Sequence, residues 1–362
     1  MNLKLGCLLT VATPASVALR SPGRLLISVS ALSGVLAFCG CVADATAPAE
    51  RALPGDRVIR TRDEVLRELA AVTENYAAEV RAAHGATFAI APDWARTDIG
   101  LATSVHAGGL WKLRPSAGLA TSGISVDAMQ VIACHEIGHF LGGFPFHHAQ
   151  NSSLATDRTV LAAEGQADYY AAKDCLPRIW RDDTANAAYA ARIPSEYRAL
   201  CDAAYAAPAD QAICYRIIAT STAYAQTLEV DVALTTPVTE MVTETKLGHF
   251  DAQRRLDTIV AGALCAIKQP PTVIPGVTDK VTRGAPYQPE AEAAAKPYAC
   301  AEGVGARPRS WFRPDAPPPF DCAAFGNDRC EGADHVYCTS TGIERYTCEA
   351  GCVTDELGAY CK

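Results

Sequence analysis

The stretch His135-Glu136-Ile137-Gly138-His139 constrains this chain more than any other. Residues four apart on an α-helix are neighbours, so His135 and His139 can grip one metal ion together. Glu136 lies three residues before His139 and points to the same side, within reach of a metal-bound water. This H-E-x-x-H arrangement supplies two zinc ligands and the general base of a metal-dependent hydrolase. A chain that uses it must bring in a third protein ligand and keep a fourth position open for water.

Two routes to that third ligand are common. In H-E-x-x-H-x-x-G-x-x-H a third histidine follows shortly, but here the position is Pro145. His147 and His148 come two and three residues late, and read instead as a solvated loop that could shape a cleft. In the other route a glutamate arrives from a later helix. Glu164 lies 25 residues beyond His139, in a segment that reads as helix from about Arg158 to Cys175. Asp157 is the expected cap of that helix and Pro177 marks its end. Glu164 and Asp168 are again four apart and share a face. Glu164 is expected to close the metal shell, and Asp168 either to accept a hydrogen bond from a ligand imidazole, fixing its tautomer, or to brace the site.

His135-Glu136-x-x-His139 followed by Glu164-x-x-Ala167-Asp168 resembles the gluzincin metallopeptidases, in particular the branch of the CAAX prenyl endopeptidase and its soluble periplasmic relatives. The specific part covers about forty residues, Cys134 to Cys175. The resemblance implies an α+β, zincin-like domain, mainly helical with a small sheet. It also implies a zinc endopeptidase with one Zn2+ per chain, His135, His139 and Glu164 as ligands and Glu136 as base. The substrate it implies is a peptide or protein, of unspecified sequence. The membrane-embedded chamber of the prenyl protease is not carried over, because no apolar run after residue 41 is long enough to span a bilayer.

With 362 residues, 49% of them hydrophobic, the chain can bury one substantial core and carry a small extra module. A formal net charge of −8 argues against nucleic acid as a partner. Residues 1–41 read as a targeting segment: Arg20 and Arg24 precede a 14-residue apolar run, Leu25 to Phe38, of signal-peptide length. The run leads into Phe38-Cys39-Gly40-Cys41, which resembles a lipoprotein cleavage site with Cys41 as acceptor. An ordinary cleaved signal is the other reading, and both place the mature protein outside the cytoplasm, in a bacterial envelope or secreted.

Of fifteen cysteines, twelve lie beyond the targeting segment, six in the main domain and six between 322 and 361. Even counts suit disulfides formed in an oxidising compartment. A bridge between Cys134 and Cys175 would tie together the two helices that build the site. Metal ligation by Cys134 is disfavoured, since it points about 100° away from His135 on a helix.

The remainder divides into 42–60 as linker, 61–302 as the catalytic domain, 303–320 as a proline-rich linker and 321–362 as a six-cysteine module. Thr61-x-x-Glu64 is a capping box opening a helix to about Ala83, stopped by Gly85, with Val65, Leu69, Val72, Tyr76 and Val80 on one apolar face. Ala86 to Ala91 and Ala102 to Leu113 read as strands, the second broken at Gly108-Gly109. Thr103 to Trp111 is either a plain sheet strand or the edge that pairs with an extended peptide. Ser125 is expected to cap the metal helix and Gly142-Gly143 to end it. Pro194 to Lys268 reads as mainly helical. Within Lys246 to Asp257, His249 is either a donor to the reaction's oxyanion or a surface or capping histidine; Tyr169 and Tyr170 adjoin the ligand helix. The six-cysteine tail lacks C-x-x-C pairs, so disulfides outweigh zinc knuckles, and its expected job is to hold a surface or a protein partner. Two other functions stay open: hydrolysis of a non-peptide amide in cell-wall material, and a surface-binding protein with a purely structural metal site.

Overall fold

Helix α1 (Arg62–His84) begins where its capping box dictates: Thr61 accepts from the Glu64 amide, and the Glu64 carboxylate accepts from the Thr61 amide. Gly85 ends it in the left-handed conformation at φ 62°. The face made by Val65, Leu69, Val72, Tyr76 and Val80 is fully buried. A computed structural model describes residues 54–98, 100–106, 109–148, 160–270, 272–273, 289–314, 328–339, 342–348, 351–355 and 358–361. The chain divides into residues 1–50, outside the described residues, and a unit of residues 51–362.

Strands β1 (Thr87–Ile90), β2 (Leu101–His106) and β3 (Leu110–Pro115) form one sheet in the order β1-β3-β2. β1 runs parallel to β3 and β2 antiparallel to it. The segment expected as one interrupted strand is therefore a hairpin, with Trp111 on the central strand and Thr103 on the edge strand. After the short α2 (Ala117–Thr121), helix α3 (Val126–Leu141) carries the H-E-x-x-H residues. Ser125 caps it by accepting from the Ala128 amide. Nearly every side chain of α3 is buried, as expected of a helix apolar on all sides that serves as the centre of a core. Its start is fixed by Asp127, which accepts from Arg216 Nε at 2.8 Å and Nη2 at 2.6 Å. Its far end meets the sheet, where Phe140 stacks on Trp111 at 4.9 Å.

The second motif stands on a continuous helical stretch as expected, but that stretch starts later, at Glu164. Strands β4 (Phe146–His148) and β5 (Val160–Ala162) pair antiparallel, and α4 (Glu164–Tyr170) starts only at Glu164. Arg158 and the expected cap Asp157 lie outside the described residues. His147 and His148 belong to β4 by their backbone pairing. A π-helical turn, Ala171–Cys175, follows α4 and runs without a break into α5 (Leu176–Ile179), so the helical stretch continues through Pro177 rather than ending before it.

Helices α6 (Ser195–Ala204), α7 (Pro208–Leu228) and α8 (Ala252–Ala263) complete the core, with α9 (Pro289–Ala295) further on. Residues 229–251 are irregular, against the expectation of a mainly helical stretch there. Disulfides join Cys134 to Cys175, Cys201 to Cys214, and Cys265 to Cys300.

Both expected linkers overlap folded structure. Ile59 is buried, its amide donates to Ile124 O at 2.8 Å, and Val126 N donates to Arg57 O at 2.7 Å. Residues 54–60 thus pack beside the start of α3. At the other end Arg307, Ser310, Trp311 and Phe312 are buried, so the proline-rich stretch is part of the domain up to Arg313. The backbone there turns on itself, with the Trp311 and Phe312 amides both donating to Pro308 O, and is laid against a core.

The tail forms a three-stranded sheet, β6 (Arg329–Glu331), β7 (Asp334–Thr339) and β8 (Gly342–Thr347), and a hairpin of β9 (Cys352–Asp355) with β10 (Gly358–Cys361). Cys330–Cys352 and Cys348–Cys361 bridge it, and Cys322 lies outside the described residues. The chain is thus a mixed helix-and-sheet protein with several disulfides.

Candidate metal centre

Two helices deliver the donors because they cross with almost no gap. A Cβ added to Gly138 would stand 2.6 Å from Ala167 O, so only glycine permits α3 and α4 to approach this closely. The crossing point is one residue from His139 and three from Glu164. His135, Glu136, His139 and Glu164 are all buried, as is Asp168.

His135, Glu136 and His139 form a group that could hold a metal ion, with one donor atom from each lying within 4.8 Å of the others. The two imidazole rings are set edge to face with centroids 4.6 Å apart. Each ring is oriented through its Nδ1: that of His135 lies 2.7 Å from Asp168 Oδ1, and that of His139 lies 2.7 Å from Ala162 O. These contacts direct the Nε2 atoms toward Glu164, whose Oε2 is 3.2 Å from His135 Nε2 and whose Oε1 is 3.8 Å from His139 Nε2. The Ala162 carbonyl is supplied by β5, which explains why a strand precedes α4 directly.

The donor chemistry suits a cation. Glu164 Oε2 is buried and sits 3.2 Å from two imidazole nitrogens, of His135 and His249, yet neither contact has hydrogen-bonding geometry. Two nitrogens and a carboxylate converging in this way leave a negative charge that a divalent ion would satisfy better than the imidazoles do.

The titrations follow from the same packing. For His135, burial opposes the charged form, but Asp168 and Glu164 outweigh it and raise the pKa to about 10. Burial raises Glu136 to about 7, against the opposing pull of His135 and a hydrogen bond from the Thr103 side chain on β2. Burial also works against the charged form of Glu164, yet its imidazole neighbours hold it far below the usual carboxylate range. Asp168 is lowered to about 2, since Arg255 and His135 overcome its burial.

All six residues singled out from the sequence are therefore brought together. His249 is exposed and stands on the irregular stretch before α8, with Nδ1 3.2 Å from Glu164 Oε2; that contact raises its pKa. Arg255 on α8 was not singled out. It grips Asp168 with Nε at 2.9 Å and Nη2 at 2.8 Å. Asp257 serves the loop instead, accepting from the Val238 amide at 2.7 Å. Tyr169 is committed to Gly305 O at 2.7 Å, and Tyr170 is fully buried beside Tyr76, so neither faces the donors as a hydrogen-bond source for substrate.

No protein-family model, no curated protein and no solved structure matches this chain.

Proposed function

We propose that this chain is a zinc-dependent endopeptidase of the gluzincin kind, with a zincin-like catalytic domain. The observation that carries the reading is Glu136: a buried carboxylate beside two oriented imidazoles, which a purely structural metal site would not require. His135, His139 and Glu164 would hold one zinc ion per chain. When bound there, the ion supplies Lewis acidity and lowers the pKa of water toward neutrality.

The residues do the rest. Glu136, with a pKa raised to about 7, is suited to take a proton from the attacking water and return it to the leaving amine. Asp168 keeps the His135 ring in the tautomer whose Nε2 faces the centre. His249, exposed beside Glu164 and with a raised pKa, is the candidate donor to the oxyanion. A peptide is favoured over another amide because β2, the edge strand that carries Thr103, has an unpaired backbone edge among the described residues. An extended peptide could add to it as a further strand.

Export, with or without a lipid on Cys41, agrees with the five disulfides formed among the described residues. We assign the cysteine-rich tail to holding a surface or protein partner. The decisive experiment is Glu136→Gln: zinc is retained and cleavage of a casein-type substrate is abolished. Full activity in that variant would refute the assignment.

A further inference from the structure

The segment that composition marks as a linker carries the largest of the fully buried side chains among the described residues, Trp311, at 0% exposure. Its indole lies flat on the backbone of the residue after Glu164. A Cβ added to Gly165 would come within 2.5 Å of Trp311 Cδ2 and 2.6 Å of Cε2. The ring also meets Phe250, stacked at 6.1 Å and 23°, and Phe250 follows His249 directly. One side chain thus contacts the immediate neighbours of two residues of the centre.

The backbone repeats this arrangement. Val242 N donates to Arg309 O at 2.9 Å, and Lys246 N donates to Trp311 O at 2.8 Å. Thr245 Oγ1 and Arg313 exchange hydrogen bonds, at 3.0 Å from the Arg313 amide and 3.2 Å to its carbonyl. Glu164 N then donates to Leu247 O at 3.2 Å, so the stretch held by residues 309–313 itself caps α4. That cap is needed because Ala163, at the N-cap, offers no side-chain acceptor. Arg307 anchors the segment from below, donating to Gln166 Oε1 at 3.1 Å and Phe144 O at 3.2 Å with Phe312 beneath its guanidinium.

The indole N–H itself is buried without a hydrogen-bond partner among the described residues. The ring is therefore held for its shape, against the cost of an unmade bond. We propose that Trp311 is a positioning residue: it sets the place of the Glu164 carboxylate through Gly165 and that of His249 through Phe250, locking the third donor and the exposed histidine to one wall. The inference about metal affinity rests on the zinc reading above; the mechanical coupling does not.

Hydrogen exchange on the full chain tests the coupling without any metal. In Trp311→Ala, protection of the Glu164 and Lys246 amides falls by at least about tenfold, while α1 keeps its protection. Gly165→Ala, whose added methyl would press on the indole, loosens the same two amides and serves if the first variant does not fold. Unchanged protection at both amides overturns the proposal. So does a uniform loss that includes α1, because Trp311 would then be an ordinary core residue. Competition against a chelator adds the second readout: zinc affinity drops by about tenfold or more in Trp311→Ala and is largely recovered in Trp311→Phe. A wild-type chain that binds no zinc would sink the metal reading and leave the exchange result to decide this one.

Discussion

Asp168 holds His135 by its Nδ1 at 2.7 Å, and it is itself pinned from behind by Arg255 through two hydrogen bonds. The carboxylate thus has one orientation available, and so does the imidazole. Replacing Asp168 by Asn keeps the size but removes the charge, and should weaken zinc binding by about 10- to 100-fold. Arg255→Gln should weaken it less, since Asp168 stays in place. Chelator-competition titrations of the two variants give the order, and equal affinity for wild type and Asp168→Asn would contradict it.

Metal uptake should expel a proton. With no cation bound His135 titrates near 10, so its ring is protonated at neutral pH, whereas a ligand imidazole must be neutral. A raised pKa means the proton is lost only as pH climbs through it. Apparent zinc affinity should therefore rise with pH, by up to about tenfold per unit below that point. Calorimetry at pH 7 in buffers of different ionisation enthalpy measures the proton count, and a value of zero would contradict the expectation.

Gly138→Ala should damage both fold and centre. The added methyl meets Ala167 O at 2.6 Å with helix backbone on both sides, so neither partner can rotate away. A loss of about 1–3 kcal/mol is expected from the forced separation of the helices. Urea unfolding measures it, and an unaltered midpoint would mean that the two helices tolerate a wider crossing.

Removing the Cys134–Cys175 bridge, which spans 41 residues of sequence, should cost about 4 kcal/mol on the loop-entropy account. The double Cys→Ala variant compared with the oxidised wild type provides the number. Zinc affinity should fall with it, because the bridge starts beside His135 and ends the turn that continues α4.

His249→Ala should lower kcat by about 10- to 1,000-fold while leaving KM and zinc content nearly unchanged. The residue is exposed and touches Glu164 from the outside, so its loss removes a donor without opening the donor set. Loss of zinc from this variant would assign His249 to the metal instead.

What the sequence made legible was local. The capping box at Thr61, the stop at Gly85 and the cap at Ser125 each involve residues within a turn of one another, and each appears as expected. His135, His139, Glu164 and Asp168 were found because helical spacing puts their faces in register. The start of α4 was missed because β5 is three residues long and pairs with Phe146–His148, a partner that no local pattern names. Arg255 was missed since an arginine on an amphipathic helix looks the same whether it meets water or a buried carboxylate. Prolines around 308–319 obscured Trp311, whose burial depends on a glycine 146 positions earlier in the chain.

The Cys265–Cys300 bridge has a consequence for how the molecule would age. It fastens the residue just past α8 to the stretch that leads into Trp311. A cut at any peptide bond between those two cysteines would yield two polypeptides still joined through sulfur. The arginine behind Asp168 and the tryptophan over Gly165 would then remain in one covalent particle. Such a nicked form should run as a single band without reductant, separate into two with it, and keep its ability to take up metal.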